Sequence, residues 1–282
     1  MYPILFRFYV PFLRSPIELR SYGLMIALGV VAGYFVSRRL AKKLGLSDDN
    51  FLDLLILLLI FCIIGAKIMY VLTNDFSFYL HNPLEIILSG GQGLSFFGIV
   101  IAAIIVGWFY AKRRKVNFWG LLDVMAGGVL IGYAIGRIGC FLNGCCVGIP
   151  TESWFAFRFN PSDFLRIPTQ LFTSILALIF FFVVLKVEKT KRFYGKTAGA
   201  FLISYSIITF FVEFWRDITN KLLPLLSWNQ VSALIMIPAV IVMMVWLSRT
   251  QPIKEPDSAV IGKLGTIIDE SKSNEEEKTI EL

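Results

Sequence analysis

Charge is what this sequence has least of: Asp, Glu, Lys and Arg make up 17% of its 282 residues against 56% hydrophobic ones, and the mean hydropathy is +0.71. Soluble domains carry about 25% charged residues, so that class is excluded and a bilayer is expected. Period-two alternation is also missing, and the continuous apolar runs argue against a membrane barrel and for helices, which satisfy their own backbone groups in lipid. The first apolar run lacks the combination of a basic n-region with a small-residue cleavage site just after it. It reads as a retained helix and not a removed signal peptide. The four cysteines, Cys62, Cys140, Cys145 and Cys146, lack the paired spacing of a zinc finger, and no metal ligand set is read from them. Packing, or a disulfide from Cys140 to Cys145 or Cys146, is the favoured reading; a nucleophile or ligand role is the alternative. Histidine is nearly absent, with His81 alone.

What is present is a series of runs of about 17 to 25 residues, long enough to cross hydrocarbon. They fall around 19–37, 51–73, 94–111, 119–141, 170–185, 198–215 and 230–248. The fold expected is an all-α integral membrane protein of about seven transmembrane helices. Basic residues cluster at Arg38, Arg39, Lys42 and Lys43, at Lys112 through Lys115, at Lys186 through Lys196, and at Arg249 and Lys254. By the positive-inside bias these loops are cytoplasmic, which makes the chain N-out and C-in. The net charge of +7 is then explained by topology and anionic lipid, with no nucleic acid as partner. Three segments follow: an interfacial stretch 1–18 broken by Pro3, Pro11 and Pro16, a membrane domain 19–248, and a polar cytoplasmic tail 249–282 of disordered composition with no catalytic role.

Polar residues inside such a chain need a reason. Arg137 lies within Gly136-Arg137-Ile138-Gly139-Cys140-Phe141-Leu142-Asn143-Gly144-Cys145-Cys146, and an ionised side chain at membrane depth costs a few kcal/mol unless paired or hydrated. A lipid phosphate satisfies it. Gly139 and Gly144 flank the expected helix end, where free amides would add donors, although a turn alone also needs glycine. Arg20, Tyr22, Lys67, Gln92, Ser95, Gln170, Tyr205, Glu213, Arg216 and Gln230 fall at the outward ends of the runs. A cavity in the outer half of the bilayer is the common explanation; for Tyr22, Lys67 and Arg216 interfacial anchoring is the alternative. Asp123 reads as a helix-start acid or a partner for nearby lysines.

These residues resemble the bacterial prolipoprotein diacylglyceryl transferases. The family's segment Gly-Arg-x-Gly-Asn-Phe-x-Asn-Gly-Glu is matched by Gly136, Arg137, Gly139, Phe141, Asn143 and Gly144, with Cys140 and Cys145 in place of its asparagine and glutamate. Ser21-Tyr22-Gly23-Leu24-Met25, Asn82-Pro83-Leu84-Glu85, Pro168-Thr169-Gln170-Leu171-Phe172, Val212-Glu213-Phe214-Trp215-Arg216 and Asn229-Gln230 extend the similarity in order over about 20–248. Three departures stand out: Phe97 and Ile167 replace family histidines, and Thr209 replaces an arginine. The resemblance implies transfer of a diacylglyceryl group from phosphatidylglycerol to the lipobox cysteine of a preprolipoprotein, forming a thioether and releasing glycerol phosphate, in the bacterial cytoplasmic (inner) membrane. It implies no metal or other cofactor. Arg137 would clamp the phosphate, with Tyr22, Tyr205 and Glu213 for orientation or proton relay. Gly139, Asn143, Gly144, Ser95, Gln170, Arg216 and Gln230 would contact substrate. A repurposed paralogue that binds phospholipid or lipoprotein precursor without transfer is the second reading.

Overall fold

The computed structural model describes residues 3–9, 17–74, 76–82, 84, 86, 93–159, 163–217 and 226–253. Gln92, Pro83, Glu85, Lys254 and nearly all of the tail read as 249–282 lie outside the described residues. Among those described, seven long helices carry the fold: α1 (Ser21–Lys43), α2 (Asp48–Thr73), α4 (Phe96–Arg114), α5 (Phe118–Asn143), α6 (Thr169–Lys189), α7 (Lys196–Val212) and α8 (Trp228–Thr250), with a short α3 (Phe76–His81) between α2 and α4. All of these but α3 and α4 are long and apolar enough to cross a membrane, α7 being extended to Trp215 by a 3-10 turn. Helix α4 is 19 residues long and ends on Lys112, Arg113 and Arg114. The chain is an all-α multi-pass membrane protein.

Local signals set the helix starts. Ser47 and Asn117 accept from the backbone N–H of Asn50 and Gly120, and Ser227 forms a reciprocal capping box with Gln230. Residues 17–20 and 4–8 pair as an antiparallel hairpin, β1 (Ile4–Phe8) with β2 (Ile17–Arg20), so part of the stretch read as interfacial has strand structure.

Packing is closest where side chains are smallest. Helix α1 crosses α5 so tightly that a Cβ on Gly33 would lie 2.8 Å from the Gly128 carbonyl oxygen, and one on Gly29 3.0 Å from that of Gly132. Without water to drive apolar surfaces together, such close backbone contact is a main source of helix association. Helices α2 and α4 meet in the same way through Gly65 and Gly98. Ala126, Leu130 and Ala134 of α5 join Ala177, Phe181 and Val184 of α6 and Ile208 and Val212 of α7 in one buried cluster.

The two ends of the bundle differ in chemistry. At one end Arg38 pairs with Asp48, Arg114 with Asp53 at 3.3 Å, and Asn117 with Gln251 at 2.8 Å. Asp123, fully buried there, accepts from the N–H of Gly195 and of Ala198, each at 2.8 Å, and pairs with Lys191 at 3.4 Å. It is both a cap for α7 and a lysine partner. The basic clusters thus gather at one end, and Arg137, Glu213 and the loop 144–168 lie toward the other.

Candidate active site

A cavity of about 940 Å³ lies between α1, α5 and α7, with Leu55 of α2 and Ile99 of α4 also on its wall. Its shape follows from the glycine contacts. Gly29, Gly33, Gly128, Gly132 and Gly136 leave a smooth floor, and Tyr34, Phe51 and Met125 close its far end. Polar groups concentrate at the other end, where Tyr22, Tyr133, Arg137, Cys140, Cys146, Thr169, Tyr205, Thr209, Glu213, Arg216 and Asn229 line it. The wall is open on one side, since the lining residues Ile26, Ile99 and Val129 are 41%, 37% and 47% exposed.

Arg137 is held from its own helix. Its Nη2 donates to the Tyr133 hydroxyl at 2.8 Å, and its guanidinium lies 4.9 Å from the centroid of that ring. The spacing of four residues places both on one helical face. Tyr133 packs edge-on against Tyr205 with centroids 5.6 Å apart. Arg137 lines the cavity, and no carboxylate ion pair to it occurs among the described residues. Its planar fork suits an anion with two oxygens.

Glu213 is 5% exposed and fully engaged. It accepts from Ser227 Oγ at 3.2 Å and Asn229 Nδ2 at 2.5 Å, and pairs with Arg216 at 3.5 Å. The start of α8 and the end of α7 are tied together by this one carboxylate. The Arg216 backbone bridges to Gly148, and the Ile149 N–H donates to the Trp215 carbonyl at 2.9 Å, docking the loop against the 3-10 turn.

The loop 144–168 is anchored at several points. Gly144 closes α5 in the left-handed region at φ 73°, and Cys146 takes φ 59°, a region that residues bearing side chains rarely enter. Gln170 Nε2 donates to the Cys145 carbonyl at 2.6 Å, and Thr169 Oγ1 donates to that of Cys146 at 2.9 Å. The sulfurs of Cys140, Cys145 and Cys146 all lie within 4.8 Å of one another. The Cys145 thiol donates to the Cys140 carbonyl at 3.6 Å, and Arg137 and Arg216 lie near Cys146. Farther out, Arg166 pairs with Asp163 at 2.8 Å and Asp217 at 2.6 Å across the short hairpin β3 (Phe157–Arg158) and β4 (Leu165–Arg166).

Of the residues expected at the site from sequence, Tyr22, Arg137, Tyr205, Glu213 and Arg216 meet at the cavity. Others take different positions. Gly139 sits within α5, its amide spent on the helix, and a Cβ there would lie 2.8 Å from Met25 Cβ, so it admits α1 and offers no free donor. The Gly144 N–H is also spent, on the Phe141 carbonyl at 3.1 Å. The expected amide donors fail because the helix runs on to Asn143. Asn143 is exposed, outside the lining, and hydrogen-bonds toward Cys145. Gln170 is buried beneath the loop, and Gln230 is spent on the capping box and the Phe210 carbonyl. Ser95 starts α4, its N–H bonded to the Ala66 carbonyl. Lys67 lies on a smaller, separate pocket with Ile63, Ile64 and Leu94. Of the positions where the family carries histidine or arginine, Thr209 lines the cavity, Ile167 is buried under the loop, and Phe97 is 71% exposed. Tyr133 and Asn229 belong to the site without having been singled out for it. Tyr133 was detectable from its spacing of four to Arg137.

The fold and cavity define a class: a helical membrane protein with a guanidinium presented to a lipid-sized, side-opening chamber. The sequence profile of the family described as prolipoprotein diacylglyceryl transferase matches residues 9–246. The chain is 33% identical over 205 residues to the phosphatidylglycerol–prolipoprotein diacylglyceryl transferase of Geobacter sulfurreducens, covering 71% of this chain and 79% of that protein. It is 30% identical over 235 residues to the enzyme of that name from Clostridium tetani, covering 82% and 91%, and 35% identical over 199 residues to that of Finegoldia magna, covering 70% and 79%. The chain belongs to the prolipoprotein diacylglyceryl transferase family.

Proposed function

We propose that this protein transfers the diacylglyceryl group of phosphatidylglycerol to the lipobox cysteine of preprolipoproteins, and that it does so in the bacterial cytoplasmic membrane with its N-terminus outward. The observation that carries the reading is Arg137, stacked and hydrogen-bonded by Tyr133 at the polar end of an otherwise apolar chamber of about 940 Å³. A two-chain lipid fits such a chamber with acyl chains toward Tyr34 and Met125 and headgroup at Arg137. The collected basic residues at the opposite end support the orientation.

The chemistry requires three things of the chain: a clamp for the phosphate, a thiolate, and stabilisation of charge on the departing phosphate oxygen. Arg137 supplies the first and third. Tyr22 and Tyr205 stand at the chamber wall as orienting hydroxyls, and Glu213 fixes Arg216 and the α8 start. The thiolate sulfur attacks the glycerol carbon that bears the phosphate, the C–O bond breaks, and glycerol phosphate leaves with the electron pair.

The test is transfer of the diacylglyceryl group, labelled in its glycerol backbone, from phosphatidylglycerol to a lipobox peptide by the purified protein in detergent, beside Arg137→Ala. Labelling that depends on Arg137 is expected. Folded protein that retains lipid yet labels no peptide would make it a binding paralogue.

A further inference from the structure

Three thiols stand beside Arg137, two of them, Cys140 and Cys145, in place of the asparagine and glutamate of the family's segment, and Phe97 and Ile167 occupy the two family histidine positions. Cys140 and Cys146 line the chamber, and Cys145 stands behind them, all three sulfurs within 4.8 Å of one another. Three thiolates on a tetrahedral zinc ion at about 2.3 Å stand about 3.8 Å apart, so shifts of about 1 Å bring these sulfurs to coordination distance. The turn that carries them is built: Gln170 and Thr169, 1% and 2% exposed, pin the carbonyls of Cys145 and Cys146 from α6. That holds Cys146 in its left-handed conformation with its sulfur beside Cys140.

We propose that Cys140, Cys145 and Cys146 bind a zinc ion whose fourth position takes the sulfur of the substrate cysteine. The inference rests on the transferase reading of the same chamber. Three protein ligands and one open position are the pattern of zinc sites that do chemistry, and a thiol that coordinates zinc gives up its proton. A disulfide would use two sulfurs and leave the third, whereas all three here lie within 4.8 Å of one another. With three thiolates the zinc centre carries one negative charge, two once the substrate sulfur binds, and Arg137 and Arg216 lie within electrostatic reach of Cys146 to offset it.

The step balances. The substrate thiol's proton passes to water on coordination. A lone pair of the zinc-bound sulfur forms the S–C bond to the glycerol carbon. The C–O bond to phosphate breaks, and its electron pair departs on the phosphate oxygen, held by Arg137. Nothing is oxidised or reduced, and zinc is left with its three protein sulfurs when the thioether dissociates.

The experiment uses the full chain, purified under reducing conditions, with zinc counted per chain and cobalt(II) substituted as a spectroscopic reporter. One zinc per chain is expected, with sulfur-to-cobalt charge-transfer bands in the near ultraviolet. A lipobox peptide should shift the visible cobalt bands, while the same peptide with serine for cysteine should not. The variant Cys140→Asn/Cys145→Glu installs the residues the family carries there, so it is compatible with the fold, and its zinc affinity should fall by at least about tenfold. Arg137→Ala should keep its zinc and lose transfer. Transfer at full rate by zinc-free protein, thiols found oxidised to a disulfide with no zinc bound, or cobalt bands indifferent to the peptide would each overturn the proposal. Zinc bound and peptide coordinated but no transfer would sink the transferase reading instead.

Discussion

Arg137 and Glu213 are both ionised groups at the chamber, and they are satisfied in opposite ways. Glu213 has its partners within the protein, whereas Arg137 has a tyrosine hydroxyl and a ring face and keeps donors for a substrate. Arg137→Lys keeps the charge and loses the fork, and transfer should fall about 10²-fold, the scale of losing one donor to a developing oxyanion. Equal rates would remove the clamp. Tyr133→Phe keeps the ring and removes one hydrogen bond of about 1 kcal/mol, which corresponds to about a fivefold loss in the same assay. Glu213→Ala strands Ser227 and Asn229, and should lower stability by about 1–3 kcal/mol in a denaturation series, while Glu213→Gln, which keeps an acceptor, costs less. At this scale the sequence was legible where burial and charge conflict. Two polar residues at helix starts are engaged within the protein: Gln170 grips the Cys145 carbonyl, and Gln230 completes the capping box of α8. Ser227-Trp228-Asn229-Gln230 has the spacing of a capping box, and that signal would have separated Gln230 from the site.

Helix contacts determine how much change each element tolerates. Gly33→Ala drives a methyl group into the Gly128 carbonyl, backbone against backbone, and should destabilise by about 1–3 kcal/mol. Gly23→Ala, on the same helix with nothing within 4 Å of its Cβ, should stay within about 0.5 kcal/mol of the parent. Thermal unfolding in detergent distinguishes the two. The loop behaves differently because it is held by ions. Arg166 holds the Asp163 carboxyl below the usual carboxylate range. The unfolded chain releases that proton near pH 3.9, so the contribution is present above about pH 4 and fades as acid protonates the folded carboxyl. The protection factors of the Gly148 and Ile167 amides, with the intrinsic pH dependence of exchange divided out, should therefore fall in acid, and Asp163→Asn should flatten that profile. The long helices were legible because a span needs a run of apolar residues whatever packs on it. The hairpin of β1 and β2 was not, since prolines and mixed polarity within 1–18 leave no alternation to read. The proximity of Cys140 to Cys145 and Cys146 was legible from their spacing; which of them line the chamber was not, because that depends on where α5 ends and on how α6 grips the turn.

As a whole the molecule separates two environments, with basic residues at one end and Arg137 toward the other. Length, apolarity and loop charge made that division readable before any contact was known. The chamber's depth and opening were not readable, because they depend on which helices touch through glycine and which stand apart. An opening beside Ile26, Ile99 and Val129 would let a donor lipid enter without leaving the bilayer. The enzyme would then meet that substrate in two dimensions, and surface-dilution kinetics are expected. Adding phosphatidylglycerol-free lipid to mixed micelles at fixed total phosphatidylglycerol should slow transfer, whereas diluting the same micelles with buffer should leave the per-enzyme rate unchanged when peptide is saturating.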